Sequence, residues 1–390
     1  LLDGIDEDDP SYYLRATLGE ALLIAGDRAG AERAFAAARG AADFTPGKGA
    51  TTRKQLRRLS AAAAVTDDWI DQALPQRGAL YFSGPLAMHG AIDESALARA
   101  VDEFLSRRQI ASAFGALAAG ADIVIAERLL EAGVALNVQL PLTPDAFIAR
   151  SVGPYGAGWR DRFVACLERA QTIDWNRNAQ MGPAAYILGA RVAMGKAIVH
   201  AKSLDGAAFG FFALRRDDLR AASVSHENER WWRSLGHGVE SVTLDWPKPA
   251  PAKDDAPDGR VYAALTIAGP GAEKAAAPKA AFTIKTQAGV IAAFDEPGDA
   301  VAAARALAAR DQRLRYWLDA GLAAEDDKAG LANTLVTAIC RPETAPGGVF
   351  ASEIFADLAS ATPSPPEFVY VGYPALEEKL HPCPLYLLHS

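Results

Sequence analysis

Residues 78–85, GALYFSGP, are answered downstream by residues 114–122, FGALAAGAD. An apolar helical run follows, Ile123–Ala132 (IVIAERLLEA), then a stop at Gly133. A second strand-like run, Ala135–Leu140 (ALNVQL), ends at Pro141. Each strand-like run feeds a turn, and the turns open helices whose free N–H groups can hold phosphate or another anion. Gly84 tolerates a positive φ and lets a ligand approach the backbone, Ser83 offers a hydroxyl, and Pro85 completes the turn. Gly115 and Gly120 bracket the second turn; Ala121 and Asp122 open its helix. An Asp at a helix start is usually a cap or dipole partner, and a ribose hydroxyl or base is the other use for it. Either turn alone reads as an ordinary βα connection. Two of them at the carboxyl ends of parallel strands would face one crevice.

The alternation continues around this stretch. Strands are expected at 79–82, near 110–114, at 134–140, 210–214 and 240–244. Helices are expected near 93–106 and at 121–132, 146–152 (after a Thr143 cap and Pro144), 159–170, 184–204 and 227–235, with 153–158 a mobile loop. Such a pattern predicts an α/β fold with a parallel sheet covered on both faces. Arg150, Trp159, Arg191 and Lys196 are further candidates for ligand contact, since a guanidinium near the crevice meets a phosphate well. The plainer expectation for each is a surface ion pair or a core aromatic. Glu127 reads as surface, His226 as a helix start, and Trp231-Trp232 as a core anchor.

The flanks differ. Residues 1–74 are helical and alanine-rich, and Leu18-Gly19, Leu22, Gly26, Ala31, Phe35 and Ala38 are spaced for two close-packed helices with Phe35 filling the gap. A third helix, residues 51–64, carries Arg53, Lys54, Arg57 and Arg58, read as a solvated face with a peptide-docking surface as the sharper alternative. One helical pair cannot bury its own face, so it needs further repeats or the next domain. Residues 75–246 form the α/β domain, 247–259 (PKPAPAKDDAPDG for Pro247–Gly259) read as a linker, and 260–390 form an α+β domain. There, strands are expected at 260–267 and 314–321, a hairpin within 282–294, and helices at 297–310, 331–339 and 353–358, with the end at 368–372 and 384–388.

The chain has 390 residues, 50% hydrophobic and 23% charged, enough for two or three domains. A net charge of −8 argues against nonspecific binding to nucleic acid or anionic membrane. Cys166, Cys340 and Cys383 lie far apart without a CxxC, as expected for idle thiols in a reducing cytoplasm. The six histidines form no HExxH or HxH, so no metal site is expected. No apolar run reaches membrane-spanning length. Leu1-Leu2-Asp3-Gly4 shows no basic region of a signal peptide, and the missing initiator Met suggests a piece of something longer.

The run LYFSGP…FGALAAGADIVIAERLLEAGVALNVQLPL resembles the SLOG superfamily, the Rossmann-like fold shared by LOG-type and DprA-type proteins. It is most similar to the branch found in bacterial tetratricopeptide proteins associated with adenylate and guanylate cyclases. FIARSV (147–152), GWRDRF (158–163) and ARVAMGKAIVHAKSLDGAAFGFFAL (190–214) are similar too. The resemblance implies a sensor or processor of nucleotide-derived ligands, with Ser83, Gly84, Gly115, Gly120, Ala121 and Asp122 on its binding turns. The LOG signature PGGxGTxxE is absent: after Gly120 come Ala121 and Asp122, and Val124 stands where Glu is required, which speaks against phosphoribohydrolase activity.

TAPGGVFASEIFADLA (344–359), FVYVGYPALEEK (368–379), PLYLL (384–388) and AGVIAAFDEPGDAVAAARAL (288–307) resemble class III nucleotide cyclase domains, of ferredoxin-like fold. The two metal-binding aspartates of that family do not carry over: Ala264–Ala268 holds no carboxylate, and the hairpin turn reads Thr286-Gln287-Ala288-Gly289. The Asn-x-x-x-Arg pair is broken as well, Asn333 being followed by Thr337. The expectation is a noncatalytic sensor without a required cofactor, binding a nucleotide-like small molecule. Protein partners would meet its tetratricopeptide-like and cyclase-like segments, and the resemblance implies a homodimer. The alternatives are a nucleotide hydrolase or glycosidase using Asp122, Glu127 or His226, and a purely structural adaptor.

Overall fold

The computed structural model describes residues 11–62, 68–86, 92–176, 182–216, 223–247, 259–287, 289–324, 330–332, 335, 344–373 and 384–389. Most of the 247–259 linker, most of the helix expected at 331–339 (Asn333 and Thr337 included), Cys340 and Cys383 lie outside them.

The centre is a six-stranded, all-parallel sheet. Its strands are β1 (Gly78–Ser83), β2 (Ile110–Gly115), β3 (Ala135–Leu140), β4 (Thr172–Trp175), β5 (Ala208–Arg215) and β6 (Gly238–Leu244), in the order β4-β3-β2-β1-β5-β6. The direction of winding reverses between β1 and β5. β1 and β2 are apolar almost throughout because both faces are covered. Leu80 and Phe82 pack with α5 (Ser95–Arg107) and α6 (Ala121–Glu131), while Ala79 and Tyr81 pack with α9 (Pro183–Ser203) and Trp232 of α10 (Val224–Ser234). α8 (Ala157–Arg169) adjoins α6.

Two local expectations need correction. β4 gave no sequence signal: it has four residues, three of them exposed, and a strand at the sheet edge needs no apolar run. The loop expected at 153–158 is wound. α7 (Pro144–Phe147) runs into a π turn at Ile148–Val152 and a 3-10 turn at Gly153–Tyr155, and α8 starts directly after Gly156.

The second sheet is mixed. It contains β7 (Gly259–Ala268), β8 (Phe282–Thr286), β9 (Gly289–Phe294), β10 (Arg315–Ala324), β11 (Val349–Ser352), β12 (Phe368–Gly372) and β13 (Leu385–Leu388), ordered β12-β13-β11-β10-β7-β9-β8. Only β10 and β11 run parallel among its paired strands. α11 (Pro297–Arg310) and α12 (Glu353–Ser360) bury Ala300, Ala304, Leu307, Phe355 and Ala359 against it. α12 also lies on α9. They cross at Gly195, where any side chain would overlap the Asp357 carbonyl oxygen.

The N-terminal helices α1 (Tyr12–Ile24) and α2 (Arg28–Arg39) pack closely because Gly19 has no side chain: a Cβ there would lie 2.7 Å from the Phe35 ring. The basic residues of α3 (Pro46–Ala62), which α4 (Ile70–Ala73) follows, divide: Lys54 and Arg58 are exposed as expected, while Arg53 and Arg57 turn inward. Arg53 is 2% exposed and donates to the carbonyls of Leu74, Pro75 and Leu204, and Arg53 and Arg57 both pair with Asp205. The cations sit where α9 ends and leaves its carbonyls unpaired, so they cap that helix and fasten the N-terminal helices to the sheet domain. Among the described residues no helix is long and apolar enough to cross a membrane.

Candidate functional site

The two glycine turns meet at the carboxyl edge of the parallel sheet, as the spacing predicts, and they hold each other. Asp122 is 6% exposed; one carboxylate oxygen accepts from the Gly84 N–H (2.8 Å) and the other from the Ala118 N–H (3.2 Å). Burial pushes its pKa up to about 7 against the opposing pull of those two N–H donors. The Ala121 N–H donates to Pro85 O (3.1 Å), Leu86 bridges to Gly120, and buried Arg215 donates to Leu86 O (2.6 Å). The Ala119 N–H is taken by Ser151 O (2.8 Å), beside Arg150 on the π turn. Donors that an incoming phosphate would use are therefore bonded to the protein's own carbonyls and carboxylate.

The glycines answer to the same crowding. A Cβ on Gly84 would overlap that of Ala121 and lie 3.0 Å from that of Ala213; one on Gly115 would lie 2.7 Å from the Phe82 ring. Gly120 has φ 116° and ψ −128°, which only glycine adopts readily. Gly84 and Gly115 serve close packing, and Gly120 serves a backbone turn, in this structure.

An open groove lies between α9 and α10 and not in these turns. α10 starts with Ser223 as N-cap, its Oγ accepting from the His226 N–H (3.4 Å) and sitting 2.8 Å from His226 Nδ1. One turn later, buried Asn228 reaches back to the end of β1, donating to Tyr81 Oη (3.3 Å) and more weakly to Ser83 Oγ (3.4 Å). Between α9 and α10 runs a groove of about 440 Å³ lined by Ile187, Arg191, Asn228, Arg230, Trp231 and neighbours, with Glu227 as its carboxylate. Arg191 lies over the Trp231 ring at 4.0 Å. Burial lowers the Arg191 pKa, with the Glu296 and Glu227 carboxylates acting the other way. The arrangement presents a half-buried guanidinium over an indole, a second guanidinium and an amide, suited to a planar or phosphorylated anion.

Of the expected site residues, Arg191 lines this groove, Ser83 adjoins it through Asn228, and Pro85, Gly84, Gly115, Gly120, Ala121 and Asp122 form the closed turn behind. Lys196 instead pairs with Asp174 (2.7 Å) toward α12, Trp159 is buried with Arg162 over its ring (4.3 Å), and Glu127 pairs with Arg162 (2.6 Å). Trp231 was not expected here. Adjacent helical positions point about 100° apart, and in α10 only the second of the two tryptophans faces the core. Trp232 is fully buried and donates to Gly238 O (3.0 Å), while Trp231 is half-buried and donates to Ala361 O (3.0 Å). Asn228 and Arg230 carried no motif; the amphipathic pitch of α10 was the only available signal. Among the described residues no cluster of His, Cys, Asp and Glu is disposed to hold a metal.

No protein-family model matches the chain, and no curated protein matches it in sequence.

Proposed function

We propose that this protein is a noncatalytic sensor that binds a nucleotide or nucleotide-derived anion in the groove between α9 and α10. The carrying observation is Arg191 over Trp231 beside Asn228, which reaches the end of β1, one of the two strands flanking the point where the parallel sheet reverses its winding. Binding at such a point is the general habit of open α/β sheets. The groove also touches the rest of the molecule: Trp231 is bonded to the end of α12, and Glu296 at the N-cap of α11 acts on Arg191. An anion on Arg191 would compete with Glu296 and so alter how the second sheet domain sits on α9.

The flanking parts fit a transmitting role. The Gly19–Phe35 packing of α1 on α2 is what a tetratricopeptide-like pair needs, and the β8–β9 hairpin followed by α11 suits a degenerate, ferredoxin-like cyclase domain. A hydrolase or glycosidase finds less support. Both Asp122 oxygens are hydrogen-bonded to backbone, Glu127 is paired with Arg162, and His226 Nδ1 is beside the Ser223 hydroxyl.

The test is titration calorimetry of the full chain with mono-, di-, tri- and cyclic nucleotides, ADP-ribose and NAD, with and without magnesium, each mixture then analysed for product. The expected result is binding without turnover, weakened about tenfold or more by Arg191→Ala, as for loss of one charge-assisted hydrogen-bond donor. Product formation would make it an enzyme. A folded protein that binds nothing in the panel would make it an adaptor.

A further inference from the structure

The charges that line the α9–α10 groove are unpaired. Among the described residues, the side chains of Arg191, Glu227 and Arg230 form no hydrogen bond or close ion pair with the protein, and Arg191 makes only its contact over the Trp231 ring. Charged neighbours on the same helices are matched: Lys196 with Asp174, Lys202 with Glu367, Arg233 with Glu229. A carboxylate three residues before a guanidinium on one helix ordinarily pairs with it. Glu227 and Arg230 have that spacing, remain apart, and are both exposed.

The other polar groups of the groove have their donors engaged. The Asn228 amide N–H groups go to Tyr81 Oη and Ser83 Oγ, which leaves the amide oxygen to accept. The Ser234 hydroxyl donates to the Trp231 carbonyl (2.7 Å), and the Trp231 indole N–H goes to Ala361 O (3.0 Å). Glu227 only accepts. The groove therefore offers two guanidiniums as donors and is otherwise lined by acceptors. A matching ligand carries an anionic group at one place and adjacent hydrogen-bond donors at another.

Among the common nucleobases, guanine alone meets the second condition. Its N1–H and 2-amino group stand side by side, and one carboxylate accepts from both. Adenine sets its amino group beside the acceptor N1, cytosine sets its own beside the acceptor N3, and uracil has a single N–H between two carbonyls. Each would turn an acceptor toward Glu227, and an acceptor facing an acceptor loses its hydrogen bond without replacement.

We propose that the groove selects a guanine nucleotide, with N1–H and the 2-amino group on the Glu227 carboxylate beside the Asn228 oxygen, and with phosphate on Arg191 and Arg230. This rests on the reading of the groove as a nucleotide site.

Titration calorimetry of the full chain compares GMP and GTP with IMP and ITP, which lack only the 2-amino group, and with AMP and ATP. The guanine nucleotides are expected to bind at least about tenfold more tightly than their inosine and adenine counterparts. Glu227→Gln, at an exposed position, should weaken the guanine nucleotides about tenfold and narrow their lead over the inosine nucleotides, with the melting temperature unchanged. Arg191→Ala should weaken all of them alike. Equal affinities across the three bases, all reduced by Arg191→Ala, would overturn the guanine assignment and leave the nucleotide site standing. A guanine preference that survives Glu227→Gln intact would overturn it as well, since the base would then be read elsewhere. A folded protein that binds none of these nucleotides would remove both readings.

Discussion

The carboxylate of Asp122 holds the backbone N–H of Gly84 at 2.8 Å, across 38 positions of sequence. With the Ala118 N–H on its other oxygen, it joins the turn after β1 to the turn after β2. The residue that resembles a ligand-binding aspartate therefore fixes the edge of the sheet from inside, and the groove beside it inherits that rigidity through Ser83, Tyr81 and Asn228.

The buried Asp122 makes stability depend on pH. Its folded pKa is raised to about 7 from the ordinary 3.8, so the folded state holds its proton more tightly than the unfolded chain. Its contribution is full below the unfolded pKa and is lost as pH rises toward 7, with a slope of at most about 1.4 kcal/mol per pH unit. Asp122→Asn removes this titration. The variant should be less stable than the parent by a margin larger at pH 5 than at pH 8, read from urea unfolding at each pH. A margin independent of pH would refute it.

Gly84→Ala should cost about 1–3 kcal/mol, because the new methyl overlaps that of Ala121 and neither backbone is free to withdraw. Adding Ala121→Gly should recover part of the loss. A double-mutant cycle measures the coupling, and simple additivity would show that the two residues do not compete for the same space.

Arg53→Ala should release the N-terminal helices. It leaves the carbonyls of Leu74, Pro75 and Leu204 and the Asp205 carboxylate short of donors, at a cost of about 3–5 kcal/mol. Arg53→Lys should rescue little, since one ammonium cannot address that fork of acceptors. Limited proteolysis is expected to cleave both variants faster in residues 11–74; unchanged protection would contradict the clamp.

Gly195→Ala should loosen the second sheet domain from the first. The added methyl meets the Asp357 main chain, and no rotamer change relieves that. Calorimetry is expected to show a lowered transition, split where the parent melts as one. An unaltered transition would mean that α9 and α12 do not couple the domains.

The order of strands, turns and helices from Gly78 to Leu244 was legible in the sequence because it rests on local properties: apolar runs of strand length, glycine punctuation and helical pitch. β4 escaped because an exposed edge strand of four residues has no apolar run to betray it. What each residue serves was decided elsewhere. Gly84 and Gly115 have the composition of ligand-binding turns, yet the space a side chain would fill belongs to Ala121 and Phe82. Arg53 has the look of a solvated charge, yet it lies beneath the end of α9. Trp231 and Trp232 are neighbours in sequence, but only the packing of α10 against β5 and α9 turns one into the core and the other into a groove. Periodicity is set by adjacent residues and can be read from the chain alone. Which surface a turn or a cation meets depends on segments far apart in sequence, and these come together only when the sheet and its helices close.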